Sequence, residues 1–228
     1  MNESDSTLEK MENEMIKKNN LLSVLSFMFL LLICNIHLFR GDSPSLLIFD
    51  QVRVADGEWW RIITHPLVHV SWYHLILDAL VVMIVWSELQ MQSLRGQVVT
   101  VALCVGGSLL ASLWFSPYIA LVGFCGLSGL AHGLTFLLGL IWAKQSTFCS
   151  LSNRATVVKR CIAIALLVLT FGKSVYEVSI GRVIFGSMHF GELGIPIVHS
   201  HLGGVIGGLL AFMIAGRWGL LSCQQEDG

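Results

Sequence analysis

The chain has 228 residues, of which 54% are hydrophobic and only 13% are charged, against about 25% charged residues in soluble domains. With a mean hydropathy of +0.72, a soluble fold would have too little polar surface to stay dissolved, so the composition indicates a membrane protein. The formal net charge of -1 offers no basic surface, and nucleic acid is not an expected partner. The six cysteines form no CxxC pair, so we expect small buried side chains rather than a disulfide framework or a zinc knuckle.

The N-terminal part of the chain changes from polar to apolar within a few residues. Residues 1–20 have mixed charge and no apolar periodicity, and we predict a disordered tail. Residues 21–39 form an apolar run long enough to cross a bilayer. This run is too long for a signal-peptide core, and no small-residue cleavage site follows it, so we expect it to remain as an anchor.

Five further apolar segments follow, separated by proline, glycine or charged residues. They span residues 72–89, 98–115, 124–143, 157–178 and 198–215. Because lipid offers no hydrogen-bond partner to the backbone, each segment is expected to be a helix. The sequence therefore predicts an all-α, polytopic fold with six transmembrane helices in residues 21–216. We expect cytoplasmic tails at 1–20 and 217–228.

Lysine and arginine are unevenly distributed between the two sides of this topology. With the N-terminus inside, the inner segments carry nine of the 14 basic residues and the outer segments carry five. Basic residues favour the cytoplasmic side, so we predict a cytoplasmic N-terminus. Trp59 and Trp60 in the first outer loop suit the lipid–water interface.

Four polar side chains occur in the predicted membrane helices, where such groups are costly and commonly functional. His74 and Asp78 lie in the second helix, Ser128 begins the fourth, and His201 begins the sixth. Helices two, four and six all run from outside to inside in the predicted topology. We therefore expect the four side chains to lie at a similar depth near the outer face.

Ser128 lies in the sequence Gly126-Leu127-Ser128-Gly129. The glycines allow a sharp turn into the helix, and the N–H groups at a helix N-terminus favour a developing oxyanion. A small residue at a helix contact is the structural alternative. A nucleophilic serine needs a base, and both His201 and His132 are candidates. His132 follows Ser128 by four residues on the same helical face, and spacing alone does not choose between them.

Two further pairs of residues, each containing a histidine, have helical spacing. His74 and Asp78 are four residues apart, so they can bond to each other or both face the site. His65 and His69 have the same spacing before the second helix, and we interpret them as loop organisers. Behind His201 the sequence has overlapping small-xxx-small patterns that let helices approach closely, formed by Gly203, Gly204, Gly207 and Gly208.

Together these motifs resemble the rhomboid family of intramembrane serine proteases, over about residues 58–212. The nucleophile motif is Gly126-Leu127-Ser128-Gly129, and the catalytic-histidine motif is Ser200-His201-Leu202-Gly203-Gly204 with Gly208. The second-helix region contains Trp60-Arg61 followed by His65, His69, His74 and Asp78.

The resemblance implies a catalytic dyad of Ser128 as nucleophile and His201 as general base. The backbone at Leu127 and Ser128, following Gly126, would form the oxyanion hole with His74. His132 stands where rhomboids commonly carry an aromatic residue that packs on the catalytic histidine. No metal or cofactor is implied, and the chain has no HExxH motif of a zinc membrane protease.

Asp78 departs from this pattern, because rhomboids usually have asparagine there. An ionised aspartate cannot donate a hydrogen bond to an oxyanion. Asp78 is either protonated, or paired with His74 to orient that ring, or the hole is impaired. We favour the pairing with His74, because their spacing allows it.

The sequence Gly-Leu-Ser-Gly-Leu-Ala-His-Gly around Ser128, with Lys173 and Glu177 on the fifth helix, is similar to the rhombosortases. That subgroup implies a bacterial inner-membrane enzyme that processes membrane-anchored proteins with Gly-Gly C-terminal tails. The sequence thus predicts peptide-bond hydrolysis near the outer face of the bilayer. One alternative is a catalytically impaired relative that binds membrane proteins. The other is a transporter or metal-permeation protein with ligands His65, His69, His199 and His201, although no inverted repeat is visible.

Overall fold

The computed structural model describes residues 24–42, 46–89, 94–148, 154–184 and 195–217. These ranges are mostly helical, and their only β-type pairing is an isolated bridge between Phe49 and Phe124. The predicted all-α fold is confirmed. In chain order the helices are α1 (Val24–Cys34), α2 (His37–Arg40), α3 (Gln51–Ala55), α4 (Arg61–Thr64), α5 (Trp72–Leu89), α6 (Leu94–Phe115), α7 (Ile119–Val122), α8 (Ser128–Phe148), α9 (Arg154–Ile180) and α10 (His199–Arg217), with a 3-10 turn (His65–Leu67) after α4.

Six of these helices, α1, α5, α6, α8, α9 and α10, lie where the six apolar segments were predicted. Among the described residues, α5, α6 and α9 are long and apolar enough to cross a membrane, while α1 and α10 are shorter apolar helices. The membrane-type fold is therefore confirmed. Three of the six predicted spans are, among the described residues, both long enough and apolar enough to cross a bilayer. The predicted tail at 1–20 lies outside the described residues, as does the one at 217–228 except for the last residue of α10.

The fourth segment differs from its predicted bounds of 124–143, because α8 runs from Ser128 to Phe148. The four preceding residues are not helical. Phe124 exchanges two backbone hydrogen bonds of 2.9 Å with Phe49. Gly126 has a φ of +109°, which an L side chain rarely adopts. The helix consequently begins at Ser128 itself.

Helix α8 lies at the centre of the bundle and packs against α5, α6, α9 and α10. Its Leu134 and Leu137 side chains are fully buried, whereas large apolar side chains such as Trp114 and Leu169 face outward. Serine and glutamate side chains are buried in the interior. This distribution, with an apolar exterior and several polar groups inside, is typical of a membrane protein.

The predicted glycine contacts are present, and they join α10 to two different helices. A Cβ atom added at Gly203 or Gly207 would clash with the backbone of α6. One added at Gly204 or Gly208 would clash with the backbone of α8. Both glycine stripes therefore allow α10 to lie against α6 and α8 at backbone contact, which carries His201 towards the start of α8.

The four described cysteines are free thiols, and the prediction that they are buried holds for only some of them. Cys104 is buried, Cys34 and Cys125 are half-buried, and Cys161 is exposed on α9. In a membrane fold, an exposed side chain on an apolar helix faces lipid. The Cys161 thiol can therefore be shielded from water without being buried in the protein.

Candidate active site

The backbone that leads into Ser128 is held by two histidines of the preceding loop. The Gly126 N–H donates to the carbonyl of His65 at 3.0 Å, and the Leu127 N–H donates to His69 Nε2 at 3.3 Å. These bonds support the interpretation of His65 and His69 as loop organisers. They leave Ser128 as the first residue of α8, where helix N–H groups have no partner within the helix.

The loop itself is fixed by Asn35, which the sequence analysis did not single out. Its fully buried amide donates to the carbonyls of Leu31 and Leu67 at 2.8 and 2.7 Å, and its oxygen accepts from the N–H of His69 at 2.7 Å. Asn35 thus ties α1 to the residues that hold Gly126 and Leu127. Asn35 is a polar residue within the apolar run 21–39, and this position could have identified it as a candidate.

His132 and His201 lie face to face, with ring centroids 4.1 Å apart and planes 9° from parallel. His132 Nδ1 donates to the Ser128 carbonyl at 2.7 Å, and its Nε2 accepts from the Lys173 ammonium at 3.0 Å. Both ring nitrogens of His132 are therefore engaged. This arrangement favours His201 over His132 as the base, a choice that the spacing left open.

His201 Nδ1 lies 2.6 Å from Glu177 Oε2, a hydrogen bond that the imidazole donates to the carboxylate. With the proton on Nδ1, Nε2 is the acceptor nitrogen of the neutral ring. His201 lines the same cavity as Ser128. The ring is consequently oriented with a basic nitrogen available for proton transfer.

Glu177 is fully buried at the end of α9. Its Oε1 accepts from the Lys173 ammonium at 2.8 Å and from the N–H of Ile184 at 2.9 Å. Lys173 and Glu177 were predicted only through the subgroup resemblance, which did not indicate their contact with the site. Two ionisable residues inside a predicted membrane span were the signal that should have identified them.

A second histidine–carboxylate group lies on the α5 side of the cavity. His74 Nε2 is 3.2 Å from Asp78 Oδ2, so the expected pairing of these two residues is present. His69 Nε2 is 3.5 Å from the same oxygen. Since His69 Nε2 already accepts from Leu127 and burial lowers the pKa of His69 despite the nearby Asp78, we regard the shorter His74 contact as the main one.

One cavity of about 510 Å3 connects these groups. Its polar lining includes Ser128, His201, His132, His74 and Asp78, while most of the remaining wall is apolar. Five of the sequence-predicted site residues therefore line one cavity. Leu127 does not line the cavity, and its N–H points to His69 instead of the site where the sequence analysis expected it.

The donor atoms of His132, Glu177 and His201 lie within 4.8 Å of one another, close enough to hold a metal ion. However, the Lys173 ammonium already bonds to both His132 and Glu177. The network is therefore balanced by a side-chain cation. His65, His69 and His199 do not belong to this group, so the described residues give no support to the metal-permeation alternative.

A family model described as Rhomboid domain matches residues 56–218, which include all the residues named above as lining the cavity. The chain is also similar to Rhomboid protease GluP of Bacillus subtilis (strain 168), with 31% identity over 157 residues. The aligned region covers 64% of this chain and 28% of that relative, so the chain spans less than a third of the relative's length.

Proposed function

The chain belongs to the rhomboid family, and on that premise we propose that it is an intramembrane serine protease. Ser128 is the nucleophile, and His201 is the general base. The substrates are membrane-anchored proteins that are cleaved near the outer face of the bilayer. The enzyme resides in a bacterial inner membrane with its N-terminus in the cytoplasm.

The observation that carries this proposal is the shared cavity of Ser128 and His201. Ser128 begins α8, so its N–H and the positive end of the helix dipole lie beside the hydroxyl. His201 begins the adjoining α10, and its Nδ1 is engaged by Glu177. A serine, an oriented imidazole and unpaired helix N–H groups are the components of acyl transfer.

In the first half of the reaction, Ser128 Oγ attacks the scissile carbonyl carbon while His201 Nε2 accepts the hydroxyl proton. The tetrahedral intermediate collapses, the C–N bond breaks, and His201 returns the proton to the leaving amine. In the second half, water attacks the acyl ester with His201 again as base. The carboxylic acid leaves and the Ser128 hydroxyl is restored.

For the oxyanion we assign the Ser128 N–H and the His74 ring as donors. The Leu127 N–H is already bonded to His69, which argues against its use in this role. Gly126 lies directly against the His74 ring, since a Cβ atom there would be 2.8 Å from His74 Cε1. Any larger residue at position 126 would displace the ring, so Gly126 supports His74 by leaving it space.

We further propose that the substrates carry Gly-Gly C-terminal tails, as the rhombosortase-like sequence around Ser128 implies. Glycine unwinds readily from a helix, and it would pass a cavity whose walls are largely bulky and apolar. Substrates with small residues at the cleavage site are therefore expected to be processed fastest.

The test is co-expression with a membrane-anchored reporter that ends in a Gly-Gly tail, read by gel shift. The unmodified chain is expected to release the tail, and Ser128→Ala and His201→Gln are expected to abolish release. The control is Ser87→Ala, which alters an exposed residue of α5 and is expected to leave release unchanged. Gly133→Ala is unsuitable as a control, because its Cβ atom would clash with Cys104 and α10.

A catalytically impaired relative is the second candidate, and Asp78 is the observation that favours it. A carboxylate near the oxyanion region would repel the developing charge, and loss of one donor slows such reactions by about 10²–10³-fold. In that case the chain would bind the tailed reporter without cleaving it. Co-purification of intact reporter with both the unmodified chain and Ser128→Ala would support this candidate.

A further inference from the structure

A fully buried carboxylate in an apolar helix calls for a physical reason, because desolvating a charge is expensive. Glu177 on α9 is such a group. Lys173 and the Ile184 N–H both bond to Oε1 of this carboxylate and leave Oε2 for a further donor. Oε2 makes the shortest of its hydrogen bonds, at 2.6 Å, with the ring of His201.

Among the described residues, each hydrogen bond of the Glu177 carboxylate comes from a donor. Oε2 accepts from His201 Nδ1, and Oε1 accepts from Lys173 Nζ and from the Ile184 N–H. Such a carboxylate has no need of a proton of its own and is stabilised as the anion. A short bond from an imidazole N–H to a fixed anion holds the ring in one orientation and one tautomer.

We infer that Glu177 is a positioning residue that extends the Ser128–His201 dyad into a triad of serine, histidine and glutamate. This inference rests on the proposed protease function. Glu177 keeps the proton of His201 on Nδ1, which leaves Nε2 free for the Ser128 proton. When Nε2 takes that proton, the imidazolium lies against a carboxylate that stabilises it, and Glu177 remains ionised throughout.

Lys173 and His132 complete the support around His201. The Lys173 ammonium bonds to both Glu177 Oε1 and His132 Nε2, so one cation fixes both neighbours of His201. The His132 ring stacks on one face of His201, while Glu177 holds its Nδ1 edge. The base is thereby held from two directions by side chains of α8 and α9.

The test measures the rate at which a fluorescent fluorophosphonate labels the purified protein in detergent. In this reaction Ser128 Oγ displaces fluoride from phosphorus and the hydroxyl proton passes to His201, so no natural substrate is needed. The variants are Ser128→Ala, Glu177→Gln and Ser174→Ala. Ser174 is a matched control, because it is fully buried on α9 and its hydroxyl donates to the Thr170 carbonyl of the same helix.

We expect the unmodified chain and Ser174→Ala to label at similar rates, and Ser128→Ala not to label. Glu177→Gln is expected to label about 10²-fold more slowly or worse. The acid limb of its pH–rate profile should move to lower pH, because the protonated ring loses its anion. The charged and titratable groups near His201 are Glu177, Lys173, His132 and Asp78, and the last three are unchanged in this variant.

The outcomes separate the two proposals. No Ser128-dependent labelling of the unmodified chain would overturn the protease function itself. Ser128-dependent labelling with Glu177→Gln within about threefold of the unmodified chain would overturn only the role of Glu177. A slower rate without any shift of the acid limb would reduce Glu177 to a structural role and would also overturn the inference.

Glu177→Gln leaves Lys173 without its carboxylate and could prevent folding. The double variant Lys173→Met/Glu177→Gln removes both charges together, and it should label as slowly as the single variant. A double variant that labels at the original rate would contradict the inference. The unmodified protein offers a check that needs no variant at Glu177: a low-field imidazole N–H proton resonance that disappears in His201→Gln. Absence of that resonance would also contradict the inference.

Discussion

The candidate site contains two pairs of carboxylate and histidine, and they are built differently. Glu177 accepts hydrogen bonds of 2.6 to 2.9 Å from His201, Lys173 and a backbone N–H. Asp78 Oδ2 lies 3.2 Å from His74, but it has no hydrogen bond of good geometry among the described residues. The first carboxylate is held in a single orientation by a cation and two N–H donors. The described contacts of the second carboxylate, with His74 and His69, are longer, at 3.2 and 3.5 Å, so we expect the chemistry to depend strongly on Glu177 and weakly on Asp78.

The largest difference between the two pairs is expected when each carboxylate is replaced by its isosteric amide. Glu177→Gln is expected to lower the rate of reporter cleavage by about 10²-fold or more, because the base loses its orienting anion. Asp78→Asn is the matched variant on the other side. Cleavage assays in which both amides have equal effects would contradict the distinction between the two pairs.

The loop before α5, which carries His65 and His69, is expected to make the stability of the protein depend on pH. Burial lowers the pKa of His65 to about 4 from its usual 6.5. The unfolded chain therefore binds more protons than the folded chain between these values, so the free energy of unfolding falls as the pH drops through this window. The loss from pH 7 to pH 5 is expected to be about 2 kcal/mol.

Unfolding in mixed detergent at both pH values checks this prediction, with His65→Asn as the comparison. Asn retains a donor for the Ile62 carbonyl, which His65 Nδ1 contacts at 3.0 Å, but it does not titrate. The variant should lose less stability at pH 5 than the original chain. An identical loss in both would assign the acid sensitivity to another group.

The cation on the Glu177 side should contribute to stability as well as to orientation. Lys173→Met removes one charged hydrogen bond from Glu177 and one from His132. We expect a loss of about 1–2 kcal/mol in the free energy of unfolding, at the lower end because the Lys173 side chain is about one-third exposed. Detergent unfolding of this variant beside Lys159→Met, which removes a lysine that lies over the Trp142 ring, measures the difference.

The smallest effect is expected at Asp78. Asp78→Asn should lower cleavage by about tenfold or less, because the amide keeps the shape of the side chain but loses the anion that orients His74. The readout is the initial cleavage rate of the Gly-Gly reporter. Unchanged or faster cleavage would refute the pairing of Asp78 with His74 and would indicate that an amide donor at this position serves the oxyanion better.

Much of the candidate site could be predicted from local sequence, because glycine and histidine patterns constrain their own neighbourhoods. The glycines around Ser128 predicted a sharp turn, and Gly126 provides it with its positive φ. The family resemblance, not the glycine pattern, placed the Leu127 N–H in the oxyanion hole, and this N–H bonds to His69 instead. That bond joins residues 58 positions apart, and no local pattern specifies it.

The sequence by itself determined the membrane fold and the approximate helix positions, because lipid forces an apolar segment to satisfy its backbone internally. It also singled out Ser128, His201, His74 and Asp78, since polar groups in such segments are costly. Only the tertiary structure shows that both ring nitrogens of His132 are engaged and that Glu177 bonds to His201, the contacts on which our proposal of His201 as base rests. Those contacts depend on α8, α9 and α10 meeting at backbone contact, where His132, Glu177 and His201 come together from distant parts of the chain.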